Sequence, residues 1–187
     1  MSLKTKLLEF LKKNNDELYS FEDLLNELSC NEEELQDVLN TLEQEGIIYL
    51  TKRKKQYCLC EAHGLVKAKI VRILKNYAIL EAKDEDDETY SIRVSLDDLN
   101  GAIYLDTVLV SKPTTRSAYV YKVLSHEEGT LVGEYMNSKK DYIIPDDKNY
   151  EMRIFVEKNK SKGAHSGHKV VFKIIKFEPP YMGEVVE

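Results

Sequence analysis

The sequence predicts an α+β protein, in which an N-terminal winged helix-turn-helix precedes two tandem five-stranded OB-fold β-barrels. Three observations carry that prediction. Helical periodicity is confined to the segment before Gly46. Short extended segments separated by turns replace it from Gly64 onward. Those segments fall into two consecutive sets of five, each about 60 residues long, a count that suits small five-stranded barrels. The expected division is residues 1–63, 64–126 and 127–187.

In the first segment Leu3, Leu7, Leu8 and Leu11 form an amphipathic stripe, broken by Asn14-Asn15-Asp16. Ser20 is the expected N-cap of a second helix, with Asp23 three residues on and Leu24, Leu25 and Leu28 on its apolar face. Asn31 caps a third, whose first turn holds Glu32, Glu33 and Glu34 where the helix dipole favours negative charge. Leu35, Val38, Leu39 and Leu42 are its core stripe, and Gly46 ends it. The period then becomes extended. Ile47–Leu50 and Gln56–Cys60 flank the basic tip Thr51-Lys52-Arg53-Lys54-Lys55, as in a hairpin.

The first set of strands is expected at Gly64–Leu74, Tyr77–Ala82, Tyr90–Val94, Thr107–Lys112 and Tyr119–Leu124, with Pro113-Thr114-Thr115 in a loop. The second is expected at Thr130–Met136, Tyr142–Pro145, Met152–Val156, Lys169–Phe177 and Gly183–Glu187. In Lys169–Phe177, Val170, Phe172 and Ile174 alternate against Lys169 and Lys173, which fixes the inward face.

Composition narrows the function. No apolar run is long enough to span a membrane, and lysines interrupt the N-terminus where a signal peptide would be apolar. A cytoplasmic protein with no membrane partner is expected. Three cysteines do not make a disulfide framework. Cys58, Cys60 and His63 have the spacing of half a metal site without a fourth ligand nearby, so they are read as structural, and no metal is expected. The net charge of −6 does not advertise a nucleic-acid binder. The acidity sits mainly in residues 1–63, with 8 basic against 13 acidic residues, so any nucleic-acid contact must come from local basic patches. The third helix has no Lys or Arg and would be repelled from a major groove. The hairpin tip is either a nucleic-acid contact or a solvated turn. His165 and His168 read as turn residues, as do Asp146 and Asp147 after Pro145. The acidic run Asp84–Glu88 reads as a solvated strand connection. No catalytic constellation is present, and no dense aspartate cluster could hold paired Mg²⁺.

A resemblance then sharpens the reading. Tyr142-Ile143-Ile144-Pro145-Asp146-Asp147, Ile154-Phe155-Val156 with Lys158-Asn159, Gly163-Ala164 and Gly167-His168-Lys169-Val170-Val171 resemble the second cold-shock domain of the ribonuclease R family. Asp106-Thr107-Val108-Leu109-Val110 is similar to a strand of the preceding cold-shock domain, and the winged helix stands where that family places one. The resemblance implies an RNA-binding front region of a 3′-5′ exoribonuclease. Its Mg²⁺-dependent catalytic domain is expected to be absent from this chain, which itself needs no cofactor. Single-stranded RNA is the expected partner.

That family offers two aromatic rings on strand two and one on strand three. Here Tyr77 is retained in the first module, with Ile79 and Arg93 at the other positions. In the second, Lys140 replaces one ring while Tyr142 and Phe155 remain. Tyr142 and Phe155 with Lys139, Lys140 and Arg153 form the principal expected RNA site. Tyr77, Arg93 and the tip residues Lys52, Arg53, Lys54 and Lys55 are secondary. By themselves Tyr142 and Phe155 read as barrel core beside solubilising lysines; the resemblance turns the reading toward RNA. The alternatives are a stand-alone adaptor that docks a protein such as the ribosome or a helicase, and a winged-helix DNA-binding regulator.

Overall fold

The computed structural model describes residues 1–112 and 117–187; the expected Pro113-Thr114-Thr115 loop lies outside the described residues. Three α-helices, α1 (Leu3–Lys13), α2 (Phe21–Leu28) and α3 (Glu32–Gln44), lead into a two-stranded hairpin of β1 (Ile48–Leu50) and β2 (Tyr57–Leu59). Each helix starts where local chemistry dictates. Ser20 and Asp23 make a reciprocal capping box, and the Asn31 side chain accepts from the Glu33 and Glu34 amides. Leu7, Leu11, Leu24, Leu35, Leu39, Leu42 and Ile48 are fully enclosed among these elements.

Ten strands follow: β3 (Leu65–Ile73), β4 (Tyr77–Lys83), β5 (Thr89–Ser95), β6 (Thr107–Ser111), β7 (Val120–Ser125), β8 (Leu131–Met136), β9 (Tyr142–Pro145), β10 (Ile154–Val156), β11 (Lys169–Lys176) and β12 (Met182–Val185). The two sets repeat one topology. The first runs β5-β4-β3-β6-β7, and its ends meet at one parallel bridge between Val94 and Ala118. The second closes fully, through parallel pairing of β10 with β12. Closure leaves the barrel without free edges and holds its strands in fixed register.

The modules are not beads on a string. One apolar cluster runs through both β modules. Ile73 of β3 bridges Tyr150 of the second module, and the Tyr104 and Tyr150 rings stack at 5.1 Å. Tyr104 donates its hydroxyl to Asp147, whose other oxygen accepts the Asn149 amide. Asp147 is therefore more than the turn residue the sequence suggests. His126 Nδ1 lies 2.9 Å from both oxygens of buried Asp106, and its ring stacks at 4.0 Å on Phe177. The hairpin also has two faces at work. Ile48 and Tyr57 pack on the helices, while Tyr49 meets Tyr121 of β7 edge-on at 5.3 Å and Lys122 pairs with Glu43.

Cys58 and Cys60 are buried free thiols, and burial pushes Cys60 up to about 12. The expected strand through Cys60 ends one residue earlier, and Cys60 instead starts a short 3₁₀ turn. That turn leaves His63 exposed at the surface.

Candidate nucleic-acid interface

The second barrel carries the best-formed site. Strand alternation sends Ile143, Ile154 and Val156 into the core with Tyr135 and Phe172, and therefore turns Tyr142 and Phe155 outward. These two residues pair directly across β9 and β10, with ring centroids 6.4 Å apart and planes at 66°. Both rings are half-buried and lie outside the barrel core. The Arg153 guanidinium lies 4.8 Å from the Tyr142 centroid, within cation–π range.

The register extends this pair into a belt. Met136 of β8 pairs with Tyr142, Met182 of β12 pairs with Phe155, and Lys176 pairs with Met182. Four half-buried apolar side chains thus cross four strands at one level, with cations at its margins. Sequence reasoning found the two rings and missed Met136, Met182 and Lys176. The pairing of β10 with β12 joins strands far apart in sequence, and no local pattern reports it.

Lys139 and Lys140 are exposed in the turn before β9, and that turn is pinned. Asp141 accepts the Ser138 amide at 2.9 Å and the Tyr135 hydroxyl at 3.0 Å, which together hold its carboxyl below the usual carboxylate range. Asn137 and Ser166 exchange two bonds of 2.7 Å, tying the turn to the loop of His165 and His168. Those histidines serve the loop itself, with the His165 amide donating to His168 Nδ1.

The remaining expected residues form two separate sets. On the first sheet Arg93 stacks over Tyr77 at 3.8 Å from ring centroid to guanidinium carbon. Ile79 is half-buried on the same outer face. At the hairpin tip Arg53, Lys54 and Lys55 are exposed, while the Lys52 ammonium lies 5.3 Å from the Tyr121 centroid. Among the described residues no three His, Cys, Asp or Glu side chains are placed to hold a metal ion. No helix is long and apolar enough to cross a membrane.

Residues 142–187 match the family model of a cold shock domain. The match starts at Tyr142 and takes in all of β9 to β12, so it spans both rings of the belt. Two solved structures of Mycoplasma genitalium ribonuclease R share the fold, one the apo form and one in complex with ribose-methylated single-stranded RNA. Each aligns at 18% identity with a TM-score of 0.50, covering 65% of this chain and 21% of that one. The chain thus spans about a fifth of the length of those proteins. No curated protein matches the sequence.

Proposed function

We propose that this chain binds single-stranded RNA, as the front region of a ribonuclease R-like 3′-5′ exoribonuclease, and guides the strand toward a catalytic domain. The observation that carries the reading is the Tyr142–Phe155 pair, outward on adjacent barrel strands with Arg153 above one ring. Unpaired bases stack on such rings with little regard to sequence, at about 1–3 kcal/mol per base. Lys139, Lys140 and Arg153 supply the positive charge that a phosphate backbone requires. The cold shock family match over this barrel, and the fold shared with a ribonuclease R solved with single-stranded RNA, support the same ligand. Hydrolysis and its Mg²⁺ belong, in this reading, to the catalytic domain and to no residue described here.

Duplex DNA is disfavoured by the exposed carboxylates of α3: Glu32, Glu33, Glu34 and Asp37 would face the phosphates.

Affinity for an oligouridylate, followed by fluorescence anisotropy at two salt concentrations, tests the proposal. Micromolar or weaker binding that falls with salt is expected. Tyr142→Ala should weaken it by about 1–3 kcal/mol, at least fivefold. Absence of wild-type binding at low salt, or full affinity in the Tyr142→Ala, Phe155→Ala double variant, would defeat it.

A further inference from the structure

Arg93 and Arg153 occupy corresponding places in the two β modules. Tyr77 and Tyr142 each open the second strand of their set. Ser95 is the cross-strand partner of Tyr77, and Phe155 that of Tyr142. In each case the arginine lies two residues before that partner, on the same outward face. Both guanidiniums lean back over their tyrosine, at 3.8 Å in the first module and 4.8 Å in the second. Neither forms an ion pair among the described residues. Their charge remains available to an incoming anion.

We propose that Arg93 and Arg153 are removable caps on the tyrosine rings, so that RNA binding at each module is an exchange: a base takes the guanidinium's place while the guanidinium moves to a neighbouring phosphate. The inference rests on the RNA reading of the site given above. Atoms in stacked contact sit about 3.5–4.0 Å apart, so the ring face that Arg93 covers cannot also hold a base. A cation over an exposed ring contributes about two- to fivefold to an equilibrium, and a stacked base about five- to a hundredfold. The base therefore wins, and the displaced guanidinium gains a bidentate phosphate contact for which its planar fork is suited. The contact distances rank the two sites. Arg93 is in full contact with Tyr77, whereas Arg153 stands about one ångström further off and leaves Tyr142 more open. RNA engages the second barrel first, and the first module joins only when its cap lifts.

Lysine in place of arginine separates charge from stacking, because it keeps the charge but loses the flat guanidinium plane. Because Arg93→Lys also gives up the bidentate phosphate contact, the cap is read by comparing two backgrounds. With an oligouridylate of about 32 nucleotides, twice the upper site size of one OB barrel, Arg93→Lys should favour binding about two- to fivefold more with the Tyr77 ring present than in a Tyr77→Leu background. If Arg93→Lys changes binding equally with and without the Tyr77 ring, Arg93 is a plain phosphate contact and the cap is refuted. That result leaves the RNA reading standing as long as Tyr142→Ala still costs affinity. Failure of the wild-type chain to bind RNA would overturn both.

Discussion

Tyr150 buries its ring against Tyr104, with 2% of its surface exposed, yet its hydroxyl finds no partner among the described residues. Burial pushes that phenol above its ordinary range, with the neighbouring Tyr181 and Asp106 adding to the effect. An unpaired buried hydroxyl costs about 1–3 kcal/mol of desolvation, so Tyr150→Phe should raise stability by about 1 kcal/mol. A urea midpoint that stays level or falls would mean that the hydroxyl is satisfied in solution. Asp141 is the opposite case, since both its oxygens are engaged and its charge is welcome. Neither fate is legible in the sequence, which holds twelve tyrosines with nothing local to tell Tyr150 from the rest. Tyr142 and Phe155 read as barrel core on local pattern alone, and only the family resemblance marked them as binding candidates.

Single elements were mostly written in local chemistry. The caps at Ser20 and Asn31 follow from side chains that reach amides two or three residues away, and the strands follow from the two-residue alternation. The close approach of neighbouring strands is less legible, and Gly133 marks one. A Cβ there would sit 2.5 Å from Ile143 Cγ2 and 2.6 Å from the Ile144 carbonyl oxygen, across the β8–β9 pairing. Backbone cannot yield as a flexible side chain would, so Gly133→Ala should cost about 1–3 kcal/mol of overpacking. It should also weaken RNA binding, because β9 carries Tyr142. A thermal midpoint within a degree of wild type would show that the strands part freely at this point. The sequence gives no such warning: the tight approach depends on which residue of β9 lands opposite.

At the scale of the whole molecule, the β modules are locked by polar groups inside their junction. The Asp106 side chain is 1% exposed, and burial raises its carboxyl above the ordinary 3.8, against the pull of the Ile103 amide and His126. The folded chain therefore holds this proton more tightly than the unfolded chain does. The contribution of Asp106 to stability is then greatest in acid, and is lost as the pH rises from 3.8 through the raised folded value. Besides His126, the groups facing it are the phenols of Tyr150 and Tyr181. Asp106→Asn keeps an acceptor for the Ile103 amide and removes the buried charge. It should be more stable than wild type near pH 7, by a margin that shrinks toward pH 4 in parallel urea titrations. A variant less stable than wild type near pH 7 would mean that the pairing with His126 outweighs the burial of the charge.

The sequence by itself determined the order of elements, the helix starts and the inward face of β11. All of these depend on neighbours within a few residues, where capping and pleat geometry act. Tertiary structure alone decided that β10 would lie beside β12 and bring Met182 to Phe155, that Asp106 would meet His126, and that Arg93 would close over Tyr77. Those outcomes depend on closure of the sheets and on packing between modules, which join residues that no short-range pattern links.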